Sequence, residues 1–164
     1  MSLRMFEQSE KIADELRQQG IRVASKPLVD SIPRLPKDIT SLSDEDLMDL
    51  FVNVTSWVDY MSVQVAAAQI DERAAQRALD YAEAQAMVDG WGGGRDSRVA
   101  VAKAKRSLDP KVIQLHDELE ERYAYRKYAE TITSNLDRDA ALISRELTRR
   151  TAPPTAPRRA GSYL

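Results

Sequence analysis

The chain has 164 residues, 43% hydrophobic and 30% charged, ordinary values for a soluble protein built as one domain or one extended helical unit. It has no cysteine, which excludes disulfides and thiolate metal sites, and no apolar run of about 18–20 residues that would span a membrane. The net charge of −2 hides a polarity: residues 1–94 carry 9 Lys/Arg against 16 Asp/Glu, and residues 95–164 carry 15 against 10.

That polarity fits two arms that complement each other. It equally fits head-to-tail self-association or a polyanionic partner for the second half. The apolar residues are rich in alanine, with only two Phe and two Trp. Alanine lets helices approach closely but builds a thin core, and such chains often complete it by oligomerising. The start, MSLRMFEQSEKIADELRQQ, is too charged for a secretory signal peptide, so the expected compartment is the cytoplasm.

Residues 3–19 read as a short helix with Leu3, Phe6, Ile12, Ala13 and Leu16 roughly on one face, and Gly20 is a natural stop. Residues 21–42 form a connector. Pro27, Pro33 and Pro36 each remove a backbone donor and restrict the preceding residue, which suits an extended tether.

Residues 43–150 read as a long antiparallel helical hairpin, coiled-coil-like, in an all-α fold. Ser43 is the N-cap, followed by three acids where the helix dipole favours negative charge. The apolar series Leu47, Phe51, Val54, Val58, Met61, Val65, Ala68, Ala75, Leu79, Ala82 and Ala86 steps by heptads, broken only at Glu72. The glycines at 90 and 92–94 place the turn at 90–96. A kink is expected at 107–110, with Asp109 as N-cap and Pro110 opening the last helix. That helix carries Val112, Leu115, Leu119, Tyr125, Tyr128, Ile132, Leu136, Ala140, Ile143 and Leu147, with one phase shift near Arg122 that resembles a stutter. Residues 151–164 are basic and rich in proline, and should be disordered when free.

Little in the sequence points to catalysis. His116 is the only histidine and has no nucleophile partner or companion ligands, so neither a catalytic residue, a metal site nor a cofactor is expected, and the chain reads as non-enzymatic. WGGGRDSR lacks the Lys-Ser or Lys-Thr of a phosphate loop. Asp71, Glu72, Arg73 and Arg77 read as ion pairs on a helix surface. Tyr123, Tyr125 and Tyr128 read as seam residues with hydroxyls at the edge.

The candidate site is a basic cluster beside the turn. Arg95, Arg98, Lys103, Lys105 and Arg106 stand against a single acid, Asp96, with Trp91 just before them. Cations neutralise phosphates and release counterions, and an exposed indole stacks on an unpaired base. The same residues also suit a solvated helix face with Trp91 closing the end of the hairpin. Arg149 and Arg150, with Arg158 and Arg159 in the tail, make a second basic region suited to nucleic acid or an acidic protein surface.

From about residue 50 to 150, Trp57 and Tyr60 form a Trp-x-x-Tyr, followed by DERAAQRALDYAEAQ, the turn WGGGRD, the basic helix AVAKAKRS, the restart LDPKV and a final long helix. This order of parts resembles the phage recombination-mediator family of the UvsY type. The resemblance implies a small cytoplasmic homo-oligomer that binds single-stranded DNA and helps load a recombinase in place of a single-strand binding protein, with Arg95, Arg98, Lys103, Lys105 and Arg106 as DNA contacts. Trp91-Gly92-Gly93 also resembles the turn of the secreted WXG100 type of helical hairpin, although the arms here are longer and no Tyr-x-x-x-Asp/Glu export signal follows residue 122. A structural or adaptor protein without nucleic-acid affinity, such as a virion component or assembly chaperone, is the remaining reading.

Overall fold

A computed structural model describes residues 7–29, 31–90 and 99–152. The described chain is all α-helical: α1 (Glu7–Gln18), α2 (Asp44–Gly90), α3 (Val99–Ser107) and α4 (Pro110–Thr151), with a 3-10 turn at Ile39–Ser41. The long α2 and α4 pack together as the antiparallel pair expected of a helical hairpin. None of the described helices is long and apolar enough to cross a membrane. Leu3, Phe6, the turn at 91–96 and the tail from 153 onward lie outside the described residues.

Local chemistry sets the helix ends. α1 closes on Gly20, whose φ of +79° is available to glycine without strain. The Gly20 amide donates to the Arg17 carbonyl and the Ile21 amide to the Leu16 carbonyl, the paired bonds of a Schellman ending. At the start of α2 the Ser43 hydroxyl accepts from the Asp46 amide at 3.1 Å and donates to the Asp46 carboxylate at 2.6 Å. This is a serine cap facing an acidic third residue. Asp109 caps α4 by accepting from the amides of Lys111 (2.8 Å) and Val112 (3.2 Å). Pro110, which has no amide to satisfy, opens that helix.

The chain divides into two compact units. The first comprises Met1–Ser25 and Met61–Ile132, and the second Lys26–Tyr60 and Thr133–Leu164. In the second unit large side chains fill the core: Leu47, Val54, Trp57, Leu136 and Ile143 are buried, and Trp57 meets Tyr60 edge-on at 5.8 Å. In the first unit the core is small and partly polar. Leu79, Ala82, Ala86 and Val112 cluster with Leu115 and Leu119 packed against them, while Gln64 and Asp71 are buried beside Ala68 and Ala75.

The burial registers differ from the sequence expectation in two ways. On α4, Val112, Leu115, Leu119, Arg122, Arg126, Ala129, Thr133, Leu136, Ala140, Ile143, Leu147 and Arg150 are all buried or half-buried. These positions alternate steps of three and four without interruption, so α4 has no phase shift at Arg122. The apparent stutter arose because arginines occupy seam positions. Tyr128 is not in the seam: it is 72% exposed and Ala129 is buried in its place.

The phase shift lies on α2. Its buried positions run Leu47, Val54, Trp57, Met61, Gln64, Ala68, Asp71 and Ala75, and then Leu79, Ala82 and Ala86, with two successive steps of four after Asp71. Trp57, Gln64 and Asp71 thus replace Val58, Val65 and Glu72 as the deepest positions. The polar pair can lie there because each finds a partner, as described next.

Candidate functional site

The basic cluster after the turn is only partly described. Trp91, Arg95 and Arg98 lie outside the described residues. Lys103 and Lys105 are exposed on α3, and neither is held by an ion pair among the described residues. Arg106 is half-buried and sits 3.5 Å from Glu83 of α2. Ala102, 2% exposed, is the residue that seats α3. At 3.6 residues per turn, Lys103 and Lys105 project about 160° apart, on opposite sides of the seated face. The helix therefore presents two exposed cations on two flanks, and its third cation is partly neutralised.

Arg150 has a different role from the one its sequence context suggests. Its side chain is only 16% exposed. Nε donates to Glu146 at 2.8 Å. Nη1 donates to the Leu42 carbonyl at 2.9 Å and to Asp44 at 2.7 Å. Nη2 donates to the carbonyls of Thr40 at 3.0 Å and Ile39 at 3.3 Å. A guanidinium has five N–H donors, and all five are engaged within the second unit. Arg150 is thus a clamp of the fold and leaves the nucleic-acid set.

The acceptors of that clamp are pre-arranged. Asp38 caps the 3-10 turn, accepting from the Thr40 amide at 2.9 Å and the Thr40 hydroxyl at 2.6 Å. These two bonds hold the Asp38 carboxyl below its usual range. The free carbonyls at the end of the turn then point at a cation, a favourable pairing. Arg149 lies on the other side of Glu146, bound to it by two bonds of 2.7 Å, with its side chain 65% exposed. Arg149 first, and then Arg150, hold the Glu146 carboxyl down at about 2. Arg158 and Arg159 lie outside the described residues.

The first unit holds a second constellation that the sequence reading did not find. The Asp71 carboxylate is buried and accepts from the Ser9 hydroxyl of α1 at 2.8 Å. Its Oδ1 is buried with no partner among the described residues. Burial pushes this carboxyl up, against the opposing pull of Ser9 and Arg122. Arg122 donates weakly to the Asp71 backbone carbonyl at 3.4 Å.

Next to it, Arg126 is bound to Glu72 through Nε and to Glu130 at 2.6 Å. Its guanidinium carbon lies 5.3 Å from the Tyr123 ring centroid, and the Lys127 ammonium 5.7 Å from the same ring. Tyr125 donates to Gln64 at 3.4 Å. The expected surface pairs among Asp71, Glu72, Arg73 and Arg77 are therefore not formed. Asp71 turns inward to α1 and Glu72 reaches across to α4, because each meets a better-placed partner far away in sequence.

An open depression of about 310 Å³, lined by Gln69, Glu72, Arg73 and Arg126, lies over this layer, with Glu72 and Arg126 paired to each other in its wall. No group of three or more His, Asp or Glu able to hold a metal occurs among the described residues. His116 is exposed, 3.5 Å from Glu120. The chain matches no protein-family model, no curated protein and no solved structure.

Proposed function

We propose that this is a non-enzymatic, self-associating helical-hairpin protein that binds single-stranded DNA as a recombination accessory factor, helping to load a recombinase. The observation that carries the reading is the exposed pair Lys103 and Lys105 on α3, the helix that follows Trp91, Arg95 and Arg98 in the sequence. Among the described residues neither lysine is held by an acid, which leaves both available to phosphate oxygens, and the release of counterions is the main source of affinity in such complexes. The fold narrows the candidate contacts. Arg150 is withdrawn, Arg106 shares its charge with Glu83, and Arg149 retains an exposed guanidinium edge beside Glu146.

Titration of a labelled single-stranded oligonucleotide at two salt concentrations tests it. Binding should weaken steeply with salt, and replacing Lys103 and Lys105 with alanine should reduce the logarithmic salt slope by about 1.4, at ~0.7 per phosphate contact. Absence of binding at low salt would overturn the reading.

A structural or adaptor role is the second reading. It is favoured by exposed apolar side chains in the second unit: Leu28 is fully exposed, and Met48 and Val52 are about half exposed on the first turns of α2. Light scattering separates the cases. Stable oligomers without DNA affinity favour the adaptor, and a strict monomer at tens of micromolar counts against both.

A further inference from the structure

We propose that α1 is a detachable latch seated on the Asp71 carboxylate, holding its place in acid and letting go as the pH rises. Three observations carry this. First, α1 is held weakly. Of its twelve residues Ser9 alone is described as buried, Ala13 and Leu16 are half-buried, and Ile12 is 38% exposed. A helix this short is marginal in water without packing. Its docking face of Ser9, Ala13 and Leu16, spaced by four and three, offers little apolar area to supply that packing.

Second, a polar contact between α1 and α2 buries a carboxyl group. The Asp71 side chain is buried, one oxygen accepts from Ser9, and the other oxygen has no partner among the described residues. A charged carboxylate in that setting loses its hydration and gains only uncharged donors from α1, the Ser9 hydroxyl and amide. Third, α1 is joined to the rest through Gly20 and a connector that contains no helix or strand among its described residues from 21 to 38. α1 can leave without disturbing α2.

The groups around Asp71 give the sign. From α1 it faces the Ser9 hydroxyl and amide, both uncharged; from α4 it faces the Arg122 guanidinium; its neighbour Glu72 is already paired with Arg126. Arg122 and Ser9 favour the ionised form, but burial opposes them and prevails. With α1 docked the carboxyl therefore binds its proton more tightly than it does when exposed to water. Docking is strongest below the ordinary carboxyl range and weakens as pH rises through the elevated value. On release, Asp71 regains water and the face of α2 that α1 covered becomes accessible.

Hydrogen exchange of the full chain, expressed as protection factors corrected for intrinsic rates and followed from about pH 8 to about pH 4.5, tests the latch. Protection of α1 should rise several-fold toward acid, while α2 and α4 stay well protected throughout. Asp71→Asn keeps an acceptor for Ser9 and removes the charge, so α1 should stay protected with no pH response. Ser9→Ala should lower α1 protection at every pH without loss of overall helicity. His116→Gln, which removes the chain's one histidine, should leave the response intact. The proposal is overturned if α1 is as protected as α2 and α4 at all pH values, if it is unprotected at all of them, if the response survives in Asp71→Asn or vanishes in His116→Gln, or if Ser9→Ala leaves α1 unchanged.

Discussion

Arg150, the next-to-last residue of α4, donates to the carbonyl of Leu42 at 2.9 Å, just before the cap of α2. With its bonds to Ile39, Thr40, Asp44 and Glu146, one guanidinium ties the 3-10 turn and the start of α2 to the end of α4. Arg150→Ala should lower the melting temperature by several degrees, because it leaves carbonyls and Glu146 without their donor. Arg150→Lys should recover only a part, since an ammonium cannot span five acceptors. Circular dichroism melts check both. Any DNA-binding defect in these variants should scale with the loss of fold.

Glu146 supplies the acid limb of stability. Its carboxyl is held at about 2, below the ordinary value of 4.5, by Arg149 and Arg150. A group whose pKa is depressed on folding contributes stability above its unfolded value and loses it as pH falls toward the folded one. The melting temperature should therefore drop between about pH 4.5 and pH 2. Glu146→Gln should be less stable than the parent at neutral pH and show a shallower fall over that window.

The Asp109 cap should behave as a local device. Asp109→Ala removes the acceptor for the Lys111 and Val112 amides, and should cost about 1 kcal/mol in denaturant unfolding. Asp109→Asn should cost clearly less, since an amide oxygen can accept the same bonds.

Two residues of α4 should separate seam from surface. Ile143 is fully buried, so Ile143→Ala should cost roughly 2–5 kcal/mol by the loss of packing and the cavity left behind. Tyr128 is 72% exposed, so Tyr128→Ser should stay within about 0.5 kcal/mol of the parent. Chemical denaturation of the two variants tests the register directly, because the apolar pattern of the sequence alone would put both in the seam.

What the amino-acid order determined by itself is the set of helices and their caps. Gly20, Ser43 and Asp109 act on groups within five residues of themselves, so their hydrogen bonds were legible from spacing, as were the long α2 and α4. The positions of Lys103 and Lys105 on a helix were legible for the same reason. The tertiary structure decided which faces those helices bury and which charges remain free. Ser9 meets Asp71 across 62 residues, Arg126 meets Glu72 across 54, and Arg150 meets Leu42 across 108. An apolar-pattern reading assigns charged residues to the surface, so it moved the break on α2 to Glu72, invented a stutter on α4 and counted Arg150 among the free cations. Asp71, Arg126 and Arg150 each bind a partner far away in the chain, and no local spacing specifies that partner.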